Sequence, residues 1–244
     1  PRVLVRLDSP LDDTEPLSEP ITVGHLLTNT SGLGLPFGGS SVAEEMGRRG
    51  LMPHLPGPDD PAANDRMARL AALPLQFQPG EGWAYHHSTE LLSVLLERLS
   101  GQSLDELVRE RVATPLGLGL LAFYDEVVDF ARPHHVTDDG LVAGGIDEFR
   151  RPPTFRSLGG GLVSTVDDYC TFLCALARDD QRLGQPELLR EIHSNQLTPE
   201  QIDAAKEKRF KEGGETGQQW YNSAQTELQA NAPRYGSKAQ FYVL

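Results

Sequence analysis

Tyr85 is the residue whose setting most strongly suggests chemistry. It ends the stretch QPGEGWAY, residues 78–85, in which a Pro-Gly turn is followed by two aromatic residues. A tyrosine hydroxyl can transfer a proton as a general base and then as a general acid, but a free phenol has a pKa of about 10. Such a tyrosine therefore has to lie among positive charges to act near neutral pH. The alternative is that Tyr85 is an aromatic side chain packed under the Pro-Gly turn.

Two histidine pairs are the candidates for a metal site, His86-His87 and His134-His135. Adjacent histidines point to different faces of a helix or strand, and we find no carboxylate or cysteine at ligand spacing. The sequence therefore predicts no metal site and no cofactor. Ser31 lacks the G-x-S-x-G pattern of a nucleophile on a strained turn, so we interpret it as a turn residue.

Lysine is confined to the last part of the chain. No serine in the chain has a lysine three residues after it, and the lysines all lie late, at Lys206, Lys208, Lys211 and Lys238. No lysine follows the glycines at 159–161 either, so they do not predict a phosphate-binding loop. Their expected role is close backbone packing.

The chain is acidic, with a formal net charge of -13 over 244 residues and a pI near 4.9. This charge argues against nucleic acid or an anionic membrane surface as a partner. No uncharged apolar run approaches the roughly 18 residues that a membrane span needs. We interpret Cys170 and Cys174 as small apolar core residues rather than a disulfide. Because the chain begins at Pro1 without a methionine or a leader, we expect the native start to lie upstream, and compartment and oligomeric state stay open.

Helical periodicity predicts most of the elements that must position these side chains. A leucine stripe predicts an amphipathic helix over residues 88–99 with that stripe buried, at Leu91, Leu92, Leu95 and Leu99. A second stripe is expected to be buried in the helix after residue 165, at Tyr169, Phe172, Leu173 and Leu176. Other helices are predicted at residues 22–27, 42–48, 64–72, 103–112, 186–194 and 199–209, and strands at 120–124 and 141–143.

Two capping boxes mark helix starts. Ser103 with Glu106, and Thr198 with Gln201, are placed so that each side chain can satisfy the other's backbone amide. Pro115 is expected to end the helix that begins after Ser103, because proline cannot continue a helical hydrogen-bond ladder.

Two further stretches, taken with residues 78–85, resemble the motifs of one enzyme family. Residues 21–33 read ITVGHLLTNTSGL, similar to IT-x-x-HLLTHTSGL with Asn29 where a histidine is usual. Residues 159–169 read GGGLVSTVDDY, similar to GGGLVST-x-x-DY, and residues 78–85 carry PG-x-x-W-x-Y. With these motifs in this order, the chain resembles the β-lactamase-like serine hydrolases: class C β-lactamases, D-alanyl-D-alanine carboxypeptidases and related esterases.

The resemblance implies an α+β fold of the serine β-lactamase and DD-peptidase type, with mostly its helical region present. Residues 1–210 would form this incomplete domain, and residues 211–244 would be an atypical, disordered tail with few branched aliphatic residues. The family's S-x-x-K segment would lie before residue 1. The strand that supplies an oxyanion amide would lie after residue 210, so the sheet-forming ends would be missing or atypical.

The function that the resemblance implies is hydrolysis through an acyl-enzyme, on a small-molecule ester, β-lactam or peptide amide substrate. Tyr85 falls on the family's catalytic tyrosine. His87 falls where many members carry an asparagine that contacts the substrate. The chain alone would then be inactive. A non-catalytic binding protein that keeps the cleft is the alternative.

Overall fold

The structure is a computed structural model that describes residues 1–34, 40–51, 60–127, 129, 131, 134–137, 140–145, 149 and 151–203. The predicted tail, 211–244, and the end of the predicted helix over 199–209 lie outside these residues. Within them helices alternate with short strands, and the predicted α+β class is confirmed.

Helices make up most of the regular secondary structure in the described residues. They are α1 (Val23–Leu27), α2 (Ser41–Arg48), α3 (Ala63–Ala71), α4 (His87–Ser100), α5 (Leu104–Val108), α6 (Thr114–Leu116), α7 (Val166–Ala177) and α8 (Pro186–Ile192). A further helical stretch begins at residue 199 and continues to the end of the described chain at 203. Each predicted helix start is confirmed to within a few residues. In the described ranges no helix combines the length and the apolar character that crossing a bilayer requires.

The strands form antiparallel pairs: β1 (Arg2–Leu4) with β2 (Thr14–Pro16), β3 (Leu121–Phe123) with β6 (Leu162–Ser164), and β4 (His134–Thr137) with β5 (Gly140–Ala143). Both predicted strands are confirmed as β3 and β5. In the β3–β6 pair Ala122 lies opposite Val163, so the third sequence motif is joined to the strand at 121–123.

Capping residues begin the helices where the sequence predicts. Ser103 N donates a hydrogen bond to Glu106 Oε2 at 3.0 Å in the capping box of α5. Thr198 N donates to Gln201 Oε1 at 2.8 Å, and Gln201 N donates to Thr198 Oγ1 at 3.2 Å. Gly101, with a φ of 71°, ends α4 in the left-handed conformation that favours glycine.

The predicted helix end at Pro115 is wrong. After α5 the chain continues through a π-helical turn, Arg109–Ala113, into α6, where Pro115 occupies one of the first positions. The run passes Pro115 because the turn before it is π-helical, with Thr114 N donating to Arg109 O, so the chain does not follow the α-helical ladder that proline interrupts. The helical run ends instead at Gly117, which has a φ of 69°.

The main hydrophobic core lies between β1, α1, α2 and α3. Strand β1 is joined to the loop after α3, because Leu4 N donates to Leu75 O at 2.9 Å and Leu75 N donates to Arg2 O at 2.8 Å. The buried side chains of this core are Val3, Leu4, Leu26, Leu33, Val42, Met46, Leu51, Leu70, Leu73 and Leu75.

The fully buried face of α4 is not the predicted leucine stripe. Three of its leucines are only partly buried against the core, and Leu99 is 75 % exposed. The buried positions are mostly polar: His87, Ser88, Glu90, Ser93 and Val94. Polar groups in an interior are costly unless they are hydrogen-bonded. The buried face of α4 is therefore polar, and its side chains need hydrogen-bond partners.

Helix α7 exposes the face that was predicted to be buried. Tyr169 is 53 % exposed and Leu173 is 44 % exposed, and in this fully described helix Ala175 is the one fully buried residue. Cys170 and Cys174 are exposed too, so their interpretation as core residues is wrong. Periodicity identifies an apolar face but not what packs on it. Here that face borders an apolar cavity of about 460 Å³, whose other walls come from α4, α5, β3 and β6.

Candidate active site

The first two sequence motifs lie side by side, joined by backbone hydrogen bonds. Gly80 N donates to Thr30 O at 2.8 Å, and Ala84 N donates to Asn29 O at 2.9 Å. Asn29 has a φ of 58°, in a region that asparagine enters more readily than most residues. These two bonds fix both ends of the segment that leads to Tyr85.

Close packing explains the small residues of the first motif. A Cβ added to Gly32 would lie 2.2 Å from Phe77 O, so no larger residue fits without moving the backbone. Ser31 lies in a bend, and its buried Oγ is 2.8 Å from the Oγ of Ser88 in α4. Ser31 therefore connects the first motif to the helix that follows Tyr85.

The third motif reaches the same place, beside the first turns of α4. Leu158 N donates to Ser93 Oγ at 2.8 Å, immediately before the glycines. A Cβ on Gly159 would lie 3.9 Å from His86 Cε1 and 3.9 Å from Glu90 Cγ. Three motifs that are distant in sequence thus meet around the N-terminus of α4.

Tyr85 lies at the surface of this meeting point. The residue is 53 % exposed, and its ring centroid is 6.5 Å from that of Trp83 and 5.8 Å from that of His86. A tyrosine packed under the Pro-Gly turn would be buried, so the exposed ring disagrees with the packing alternative. It is accessible to a small molecule.

Four side chains next to Tyr85 form a largely buried charged network. Arg66 of α3 binds the two carboxylate oxygens of Glu90 at 3.0 Å each, and the side chains of this pair are 3 % and 2 % exposed. His86 Nε2 lies 3.2 Å from Glu90 Oε1, and His87 Nδ1 lies 3.1 Å from Glu90 Oε2. The network connects α3 to the first residues of α4.

Glu90 is the charged centre of this network. Burial by itself would raise the pKa of Glu90, but hydrogen bonds from His86, His87 and Arg66 outweigh it and hold that pKa well below its usual range. The residue also lies in the first turn of α4, where the helix dipole favours a negative charge. The carboxylate is therefore ionised and fixes the three side chains around it.

His87 lies in the interior, in contrast to the predicted substrate contact. It has no exposed surface, because residues three apart on a helix share a face and His87 turns inward with Glu90. Burial lowers the pKa of His87 more than Glu90 raises it, so the ring is neutral at pH 7. Since a carboxylate only accepts, Nδ1 carries the proton, and Nε2 has no hydrogen-bond partner among the described residues. In this structure His87 supports Glu90.

His86, His87 and Glu90 bring three potential metal-ligand atoms within 4.8 Å of one another. The expectation that no carboxylate lies at ligand spacing is therefore wrong, since residues three and four apart on a helix share a face. Both oxygens of Glu90 nevertheless face the charged guanidinium of Arg66, which would repel a cation bound there. This donor set favours an ion-pair network over a metal centre.

Arg66 and Glu90 are parts of the site that the sequence patterns did not predict. The available signal was the position of Glu90, four residues after His86 and three after His87. Arg66 lies 24 residues before Glu90 on another helix, and no local pattern indicates that they pair.

We expect acid to destabilise the fold through His87. Its pKa is lowered from 6.5 in the folded chain, so just below this pH the unfolded chain binds more protons than the folded chain. The free energy of unfolding therefore decreases as the pH decreases. Glu90, whose pKa is lowered from 4.5, adds a loss of the same sign at lower pH. In His87→Asn the decline just below pH 6.5 should largely disappear.

Urea unfolding followed by circular dichroism across this pH range measures the effect. His193→Asn is the matched control, because that histidine side chain is 46 % exposed and should leave the pH dependence as it is in the unmodified chain. A His87→Asn chain with an unchanged pH dependence would contradict this account of the buried ring.

Comparisons with known proteins extend the sequence resemblance. The family model described as Beta-lactamase matches residues 2–237, and so runs into the segment predicted to be a tail. Esterase EstB of Burkholderia gladioli is 40 % identical over 129 residues, which are 51 % of this chain and 31 % of that protein. Acyltransferase calJ of Penicillium decumbens is 31 % identical over 199 residues, 75 % of this chain and 44 % of that protein.

The solved structure of a simvastatin synthase mutant from Aspergillus terreus is similar with a TM-score of 0.64 at 25 % identity. The similarity covers 85 % of this chain and 49 % of that one. The chain spans about half the length, or less, of the curated relatives that it matches.

Proposed function

The chain belongs to the Beta-lactamase family, and on that premise we propose that it is part of a serine hydrolase that works through an acyl-enzyme. The substrate is a small molecule with an ester, β-lactam or peptide amide carbonyl. Relatives named as an esterase and an acyltransferase favour an ester among these. In this proposal Tyr85 is the catalytic tyrosine, while the serine nucleophile and its lysine come from sequence outside the 244 residues.

The proposed reaction has two steps that use the same tyrosine. The serine oxygen attacks the carbonyl carbon, and the acyl-enzyme forms as the leaving group departs. Tyr85 carries the serine proton to the leaving group. In the second step it takes a proton from the acceptor that attacks the acyl-enzyme and passes that proton to the serine oxygen as the serine ester bond breaks. Water as acceptor gives hydrolysis, and an alcohol gives acyl transfer. One exposed tyrosine can thus serve both the esterase and the acyltransferase chemistry that relatives are named for.

The observation that carries the proposal is the exposure of Tyr85 where the three motifs meet. The backbone before it is fixed by the bond from Ala84 N to Asn29 O at 2.9 Å, while the residue is 53 % exposed. A catalytic group needs this combination, since a positioned backbone fixes the geometry and an exposed side chain can reach a substrate.

We expect the 244-residue chain alone to be inactive. Without an S-x-x-K serine, it should form no covalent adduct with a fluorophosphonate probe and should not turn over p-nitrophenyl butyrate or nitrocefin above background. Intact-protein mass spectrometry and absorbance assays measure both. An adduct at any serine of the chain, together with turnover, would contradict the assignment of the nucleophile.

The second arm of this experiment uses the gene upstream of Pro1. We expect it to encode a helix with S-x-x-K, and a protein extended to include that helix should be labelled by the probe at that serine. If the extended protein is folded and carries no such serine, the chain is part of a binding protein that keeps the cleft without the reaction.

A further inference from the structure

His86, which directly follows Tyr85, has a strained backbone conformation. Its φ is 96° and its ψ is −77°, close to a form of the γ-turn that is rare and strained for residues with a side chain. Such a conformation persists only where the surrounding structure holds it, and such residues cluster at functional sites. The contacts that fix the backbone of His86 therefore also fix the orientation of Tyr85.

The side chain of His86 fixes this backbone conformation through its contact with Glu90. Its ring is 11 % exposed, and Nε2 lies 3.2 Å from Glu90 Oε1. Glu90 is itself fixed, because Arg66 binds both of its oxygens at 3.0 Å. Arg66 in turn donates to Gly50 O at 3.1 Å. His86 is thus connected through Glu90 to α3 and to the loop after α2.

Tyr85 lies between two fixed residues. On one side Ala84 N is bound to Asn29 O, and on the other His86 is bound to Glu90. Without the contact between His86 and Glu90, a change of φ at His86 would turn the Tyr85 side chain while the bond from Ala84 N to Asn29 O remains. We infer that His86, Glu90 and Arg66 are positioning residues that fix Tyr85 for acyl transfer, an inference that rests on the proposed function.

The expected consequence is a loss of rate without a loss of substrate binding. When the link to Glu90 is removed, His86 can relax to an ordinary negative φ and Tyr85 turns away from its position. A displacement of about 1 Å in a catalytic group can cost roughly 10²-fold in rate. The effect should fall on kcat, because Tyr85 acts in proton transfer, whereas KM should not change.

The direct test is nuclear magnetic resonance on the chain with ring-labelled tyrosine. The Tyr85 signal is assigned by its disappearance in Tyr85→Phe. His86→Ala removes the link and leaves the Arg66–Glu90 pair in place, so the fold should be retained. We expect the Tyr85 signal to shift or broaden in His86→Ala while the signal of the equally exposed Tyr169 stays unchanged.

Glu90→Gln is the second variant, and Glu187→Gln is its matched control, because Glu187 is paired with Arg190 at 2.9 Å on the surface. Glu90→Gln should perturb the Tyr85 signal and Glu187→Gln should not. An unmoved Tyr85 signal in folded His86→Ala overturns the inference. If His86→Ala does not fold, the test rests on Glu90→Gln, and an unmoved Tyr85 signal in folded Glu90→Gln overturns the inference.

Kinetics in the protein extended to include S-x-x-K separate positioning from a general loss of structure. His86→Ala should lower kcat by roughly 10- to 100-fold with KM unchanged. His86→Gly should retain more activity than His86→Ala, because glycine adopts a positive φ without strain. Equal activity of these two variants would contradict the inference. If Tyr85→Phe keeps full activity, the proposed function fails, and the resonance result still reports whether His86 and Glu90 fix the position of Tyr85.

Discussion

Replacing Tyr85 with phenylalanine should abolish most of the activity of the protein extended to include the S-x-x-K serine. The change removes one hydroxyl from an exposed ring and leaves the packing with Trp83 and His86 intact, so the fold should be retained. A side chain that transfers protons in the transition state is typically worth 10²- to 10⁴-fold, so we expect kcat to fall by roughly that factor. Steady-state hydrolysis of p-nitrophenyl butyrate measures it.

Tyr169→Phe is the matched control for this experiment. Tyr169 is also 53 % exposed and also contacts an aromatic ring, that of Phe172 at 6.2 Å, but it lies on α7. Its replacement should leave the rate unchanged. A fall of less than about threefold in Tyr85→Phe, with circular dichroism unchanged, would show that Tyr85 only packs.

The helices of this fold could be predicted because their signals are local. The stripe of leucines predicts α4 and the Ser103–Glu106 box predicts the start of α5, since periodicity and capping act within a few residues. The motifs likewise predict that Tyr85 matters, because its neighbours Pro79 and Trp83 stand beside it in the sequence. Features of this kind need no knowledge of tertiary contacts.

Burial could not be predicted, because it depends on elements that are distant in sequence. The apolar face of α7 was expected in the core, yet Tyr169 and Leu173 are exposed on it. In α4 the reverse occurred, since charged Glu90 is buried where leucines were expected to be. A buried carboxylate is acceptable only with a partner such as Arg66, and the sequence does not indicate which of the chain's many arginines that is.

The positions of the two histidines after Tyr85 also could not be predicted from the sequence. His87 was expected at the substrate, but the start of α4 directs it inward. His86 has a positive φ, and its ring contacts Glu90. With its ψ of −77° this conformation is rare and strained for a residue with a side chain, so the sequence around it does not predict it. The finest detail of the site is thus set by tertiary contacts.

Arg66→Met should produce the largest loss of stability of any single substitution in this network. Arg66 and Glu90 are 3 % and 2 % exposed, and removal of the arginine leaves the carboxylate buried without its two charged hydrogen bonds. Removal of one partner from a buried ion pair typically costs about 3–5 kcal/mol, so we expect the free energy of unfolding at pH 7.5 to fall by about that amount. The length of methionine keeps most of the packing of the arginine stem, so the loss reports the missing charge.

The pH dependence of this loss distinguishes an unpaired charge from a packing defect. In the unmodified chain the pKa of Glu90 is lowered, so its contribution is present above the usual pKa and is lost in acid. In Arg66→Met the guanidinium is gone, and burial, which raises the pKa of Glu90, is opposed only by the hydrogen bonds from His86 and His87, so the difference between the two chains should shrink on acidification. Urea unfolding at pH 7.5 and 5.5 measures both values, with Arg190→Met as control, since its partner Glu187 is 72 % exposed and such pairs contribute about 0–1 kcal/mol. If the free energy of unfolding falls no more in Arg66→Met than in this control, or falls equally at both pH values, the loss does not come from an unpaired buried charge.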